Sequence, residues 1–257
     1  MHLELVSVNA TQPNTGGTGV VLTGDSLTVK NGHGKVSIKS LWQTNQVAGF
    51  GQITFPSAHD TTRGYRAGVP IGINPFLLPL GVDMDVQPQE LMSVTIAGSN
   101  TAGDVEQMSM LLKYDNLPGV SQRLLTAAEV MSKTDKLTTI ETSVASTASN
   151  YSAGVLITNG SDLLRANRDY AVLGMSSRTA VHAMTLLGPD TGNVKLGMPG
   201  VLRQELAANW FMLQSRAYGE AMVPVINSGN KASTFVGVST DENAGTFITT
   251  LYLALLR

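Results

Sequence analysis

The chain has 257 residues, 26 glycines, no cysteine, charged residues at 14% and a formal net charge of -2. Soluble domains ordinarily carry charge on about 25% of their residues, so the solvated surface must be built mainly from Ser, Thr, Asn, Gln and backbone. The lack of cysteine excludes a disulfide framework, a thiolate zinc site, an iron–sulfur cluster and a cysteine nucleophile, and scattered cations argue against binding nucleic acid by neutralising phosphates.

Length allows one large β domain or two of roughly 100 to 130 residues. No apolar run approaches the roughly 18 to 20 residues that span a bilayer, and Met1-His2-Leu3-Glu4 lacks the basic start of a signal peptide. The expected product is neither an integral membrane protein nor a secreted one. The first lysine is Lys30, so no basic N-terminal arm is expected.

Up to about Asp115 the pattern is short β segments with turn punctuation. Residues 3–8 alternate loosely, and Thr15-Gly16-Gly17-Thr18-Gly19 precedes Val20-Val21-Leu22. Residues 27–30 run into Asn31-Gly32, a hairpin signal, and residues 35–39 resume with strict alternation. Residues 47–55 read as a strand in which Gly49 and Gly51 mark a bulge or a close backbone approach. Residues 91–96 and 108–114 complete the set. Strands spaced this way suggest a sandwich or barrel.

Residues 119–149 lack Pro and Gly after the first position. Val120, Leu124, Ala127, Ala128, Met131, Leu137, Ile140 and Val144 recur near helical spacing, with Pro118 where helices begin and Ser121 or Thr126 with Glu129 as caps. One or two connecting helices are expected. Strands return at 154–158, 170–175, 180–187 and 194–196. A helical insert at 201–211 sets Leu202, Leu206 and Trp210 on one face, and strands close the chain at 220–226, 234–238 and 246–256. Both halves hold an insert, at 70–88 and 198–210, without any residue-level repeat.

The one string resembling an enzyme motif is Gly24-Asp25-Ser26-Leu27-Thr28 after Val20-Val21-Leu22, which is similar to the nucleophile block of GDSL esterases. Acyl transfer by serine needs a base and an orienting partner. The family's late Asp-x-x-His pair and its Gly-x-Asn-Asp block are missing, and no histidine follows His182. A polar turn is the competing reading of the string. His2, His33, His59 and His182 lack metal-binding spacing. Oxygen ligands for a structural calcium ion could come from Asp83-Met84-Asp85, Asp190 with Asn193, or Asp241-Glu242-Asn243; no other cofactor is expected. There is no Walker A string and no GxGxxG.

Apolar residues in a Pro-broken setting, Ile71, Ile73, Pro75, Phe76, Leu77 and Leu78, are either a loop over their own core or a surface covered by a partner subunit, and they are the candidate subunit-interface residues. Residues 251–256 read as a strand buried on both faces.

A strand-rich half, a connection around 118–150 and a second strand-rich half with a helix before its last strands resemble, in organisation, the double jelly-roll major capsid proteins of tailless icosahedral viruses. The nearest type is the compact form of small membrane-containing bacteriophages such as the corticoviruses. The resemblance implies an all-β fold of two tandem antiparallel jelly-roll sandwiches with short helical inserts: a first roll at 1–117, a helical connector at 118–150 and a second roll at 151–257. It further implies a structural coat protein of the virion, not an enzyme. Such a protein assembles as homotrimers beside neighbouring capsomers and other capsid proteins, over an internal membrane, without sequence-specific nucleic-acid binding. Phage tail-tube proteins, fibres and the other phage coat fold share the low charge and Gly/Thr/Asn richness and stay open as alternatives, with the esterase behind them.

Overall fold

The computed structural model describes all residues except 12–21, 45–48, 58–63, 70–83, 98–104, 147–151, 161, 201–203 and 241–244. The chain separates into two compact units, Met1–Gly119 and Val120–Arg257.

The first unit contains eight strands: β1 (His2–Thr11), β2 (Leu22–Thr28), β3 (His33–Thr44), β4 (Gly49–Thr54), β5 (Tyr65–Val69), β6 (Met84–Val86), β7 (Leu91–Ala97) and β8 (Val105–Asn116). Their antiparallel pairings are nested: β1 with β8, β2 with β7, β3 with β6 and β4 with β5. Two sheets result, β1-β8-β3-β6 and β2-β7-β4-β5. A long hairpin wrapped so that successive pairs fall alternately in two sheets is a jelly roll.

Alternation in β3, β7 and β8 supplies the core. Val36, Ile38, Leu41, Met108, Met110, Leu112 and Tyr114 from one sheet, and Ile53, Met92 and Val94 from the other, are buried. Gly51 marks a close approach, as its sequence setting suggests: a Cβ there would lie 1.7 Å from Gln43 Oε1 and 2.6 Å from Met108 Cε. Glu4 pairs with Lys30, and burial, with Glu4 nearby, pushes the Tyr114 hydroxyl above the usual tyrosine range.

One local expectation fails instructively. At Asn31-Gly32 the Gly32 N–H donates to the Lys30 carbonyl at 2.9 Å, but the backbone forms no hairpin turn. The flanking strands do not pair: β2 pairs with β7 and β3 with β8 and β6. The turn chemistry is local, whereas the choice of partner is set by which strand covers the apolar face, so this link crosses between sheets.

The second unit repeats the nesting: β10 (Thr134–Ser146) with β17 (Gly245–Leu256), β11 (Val155–Leu156) with β16 (Phe235–Ser239), β12 (Asp169–Ser177) with β15 (Val223–Asn227), and β13 (Ala183–Leu187) with β14 (Leu196–Pro199). The sheets are β10-β17-β12-β15-β9 and β11-β16-β13-β14, the short β9 (Leu124–Leu125) extending the first at β15. Each strand of the first unit's order therefore has a counterpart in the second. The repeat that no residue identity reveals is present in the topology.

The expected helical connector over 118–150 is corrected. Only α1 (Ala127–Lys133) is helical, started by a capping box in which the Glu129 N–H donates to Thr126 Oγ1 at 3.2 Å and the Thr126 N–H to Glu129 Oε2 at 2.8 Å. From Thr134 the chain is a 13-residue strand, with Ile140, Thr142, Val144 and Ser146 buried and Glu141, Ser143 and Ala145 exposed. The spacing of Leu137, Ile140 and Val144 fits a helix, but β-branched threonines at 134, 138, 139 and 142 favour the pleated surface, and pairing along the whole of β17 decides the matter.

The second insert also differs in detail. Two helices, α2 (Gln204–Ala207) and α3 (Trp210–Tyr218), replace one. Because the helix is interrupted, Leu206 is 45% exposed while Trp210 is buried; they do not share a face, and Leu202 lies outside the described residues. A Cβ on Gly174 would lie 1.9 Å from the Ala207 carbonyl oxygen, so the end of α2 rests directly on β12. The C-terminal reading of a strand buried on both faces matches at its end, where Leu253, Ala254, Leu255 and Leu256 are all buried, but not at Tyr252, which is half-buried on the outer face.

Candidate functional site

Ser26 of the esterase-like string lies within β2, opposite Ser93 of β7, just after a register irregularity between Thr23 and Ser26. It belongs to the first unit, whereas the buried His182 belongs to the second. His2 accepts at Nδ1 from the Leu117 N–H at 3.0 Å, His33 is exposed, and His59 lies outside the described residues.

Of the candidate calcium ligands, Asp83 and residues 241–243 lie outside the described residues. Asp85 pairs with Lys35 at 2.8 Å. Asp190 accepts at Oδ2 from the Asn227 N–H at 2.9 Å and Asn230 Nδ2 at 3.0 Å, and its Oδ1 is 3.6 Å from Arg123 Nη1. A carboxylate already surrounded by protein donors is a structural tie. Among the described residues no three His, Cys, Asp or Glu side chains gather to hold a metal ion. The candidate interface residues Ile71, Ile73, Pro75, Phe76, Leu77 and Leu78 also lie outside the described residues.

Two features of the second unit were not singled out from sequence. The first is a polar clip. Arg123, beside β9, donates to Asp169 on β12 from both terminal nitrogens, with Nη1 to Oδ1 at 2.9 Å, and Asp169 also accepts from Asn227 Nδ2 at 2.6 Å. The Arg123 side chain therefore holds the Asp169 carboxyl below the usual carboxylate range. Backbone bonds finish the attachment: the Arg123 N–H donates to the Asp190 carbonyl at 3.1 Å, and the Val225 N–H to the Arg123 carbonyl at 2.8 Å.

The second feature is an open sheet face. β10 is the edge strand of its sheet, and antiparallel register places Leu137 opposite Ala254, Thr139 opposite Tyr252, Glu141 opposite Thr250 and Ser143 opposite Ile248. Opposed residues share a face, here the side away from the buried Ile140, Val144, Leu251 and Leu253. α2 covers β12 at Gly174, and its Gln204 reaches the Tyr252 hydroxyl on β17.

Among the described residues this face holds three adjoining shallow hollows. One of about 400 Å³ is lined by Leu137, Leu173, Ala208 and Tyr252. The next runs from Tyr252 to Glu141 and Arg178, and the third from Glu141 to Leu163 and Ile248. Arg178 Nη2 donates to both Glu141 oxygens, at 2.8 and 3.0 Å, which holds the Glu141 carboxyl below its usual range. Ser176 Oγ and Gln204 Nε2 each lie 3.1 Å from the Tyr252 hydroxyl. The odd-numbered alternation from 137 to 145 was the available sequence signal for this face, masked by the helical spacing.

Fold and site together define an all-β protein of two tandem jelly rolls, the second bearing a sheet face that is partly exposed among the described residues. No family model matches the chain, and no curated protein matches it significantly. Among solved structures it is similar to the PBSX exported protein XepA, at 9% identity and a TM-score of 0.30, over 96% of this chain and 86% of that one. It is also similar to a triple jelly-roll protein of an archaeal virus, at 12% identity and 0.23, over 96% and 59% of the chains. A further similarity is to the major capsid protein P2 of bacteriophage PM2, at 9% identity and 0.19, over 98% of each chain. Solved viral capsid proteins are therefore among the structures this chain is similar to; at these TM-scores none of the likenesses establishes a common fold.

Proposed function

We propose that the protein is a structural subunit that assembles with itself into a viral shell, a major capsid protein of the virion, working as trimers beside other capsid proteins. The observation that carries this reading is the doubled strand nesting: among the described residues, four nested strand pairs in each of two jelly rolls in one chain, an architecture whose uses include viral coats. Each roll offers sheet faces and edges of its own, and surfaces of that kind are what a tiling subunit needs.

The weakly charged surface supports the same reading, because charged residues are depleted at the cores of protein interfaces. In this role the protein acts through contact, with self-association in place of turnover. The internal-membrane partner and the lack of sequence-specific nucleic-acid binding belong to the same proposal.

Light scattering over a concentration series, with negatively stained images of the purified protein, tests it. Trimers or closed particles are the expected result. A protein that stays monomeric at high concentration overturns the proposal.

A further inference from the structure

We propose that the open outer face of β10 and β17 is a contact surface between copies of this chain; the inference deepens the assembly reading above and rests on it. Among the described residues, five large apolar side chains are exposed, and two of them line these hollows: Leu137, at 71%, the first and Leu163, at 64%, the third, the middle hollow touching both through Tyr252 and through Glu141 with Arg178. A cluster of this kind on a folded unit marks an interaction site.

Charge selects the occupant. Among the described residues, the charged ones lining the three hollows are Glu141 and Arg178, and they neutralise each other. Among the described residues that line the hollows a polyanion finds no uncompensated cation, and a strongly charged protein would lose hydration there with nothing to match it. The fitting partner is neutral, carries leucine and threonine, and has polar groups that can exchange bonds at the rim. The face itself is such a surface. Two copies from neighbouring trimers, related by a two-fold axis beside the Glu141–Arg178 pair, would set each pair against its twin with the signs alternating, so the contact is self-complementary in charge as well as in apolar content.

The experiment places Leu137→Glu and Leu163→Glu, singly and together, in sedimentation velocity over a concentration series. Because both side chains are exposed, the variants keep the parent's melting curve, which circular dichroism checks. Each is expected to raise the dissociation constant of the assembly by about tenfold or more, the factor that burial of one leucine supplies. The chain has no cysteine, so Thr139→Cys introduces a lone thiol on this face. Its maleimide labelling is expected to be several-fold slower in the assembled protein than after dilution to monomer. Assemblies that persist unchanged in the double variant, or a thiol that labels equally fast in both states, overturn this inference and leave the assembly reading standing. A parent chain that never assembles overturns the reading itself and the inference with it.

Discussion

Arg123 and Asp169 are 46 residues apart in sequence and joined by a two-pronged ion pair. Arg123 belongs to the segment that enters the second unit, and Asp169 opens β12, so the pair pins the entering chain to the sheet that β9 extends. Loss of the guanidinium in Arg123→Ala leaves Asp169 with Asn227 as its side-chain donor. Both side chains are partly exposed, 42% and 35%, so solvent screens the pair and the expected loss is about 1 kcal/mol. Calorimetry should show a melting temperature lower by roughly 2–4 °C.

The same pair gives an acid dependence of definite sign. The folded pKa of Asp169 is lowered, chiefly by its bond from Arg123. Its stabilising contribution is therefore fully present above the unfolded value, about 3.9, and is lost as pH falls from there through the folded value. Melting temperatures measured from pH 6 down to pH 2 should fall in that window. The fall should be shallower in Arg123→Ala, and equal slopes in parent and variant would sink the assignment.

Gly174 is the place where α2 touches the sheet. In Gly174→Ala the new methyl meets a backbone carbonyl, Ala207 O, at 1.9 Å, and backbone cannot rotate aside as a side chain does. The expected cost is about 1–3 kcal/mol, read as a lower urea midpoint. Gly219→Ala, where a Cβ would meet nothing within 4 Å but φ is +67°, isolates the backbone contribution of about 1 kcal/mol.

Thr126→Ala removes the cap of α1 and with it the hydroxyl that accepts the Glu129 N–H. A cap of this type contributes about 1 kcal/mol. The melting temperature should fall, and Thr126→Ser, which restores the acceptor, should recover most of the loss.

Much of the strand inventory was legible locally. Residues 91–96, 108–114, 170–175, 234–238 and 246–256 carry β-branched or alternating apolar runs, and each lies largely or wholly in an observed strand. Partner choice was less legible. Asn31-Gly32 has hairpin chemistry but joins strands of different sheets, and Leu137, Ile140 and Val144 have helical spacing but sit on β10. The open face was missed for that second reason: once 134–146 is read as helix, the alternation that exposes Leu137, Thr139 and Glu141 together no longer places them side by side.

Composition alone excluded thiol chemistry and disulfides, since a chain without sulfhydryls has neither, and periodicity alone fixed most strands, since alternation is a property of the local backbone. The nested pairing of β1 with β8 and β10 with β17, the meeting of Arg123 with Asp169, and the exposure of Leu137 and Leu163 on one face were decided only by tertiary structure. They join residues tens to more than a hundred positions apart, and at such separations the burial of apolar faces, not local propensity, selects which segments meet.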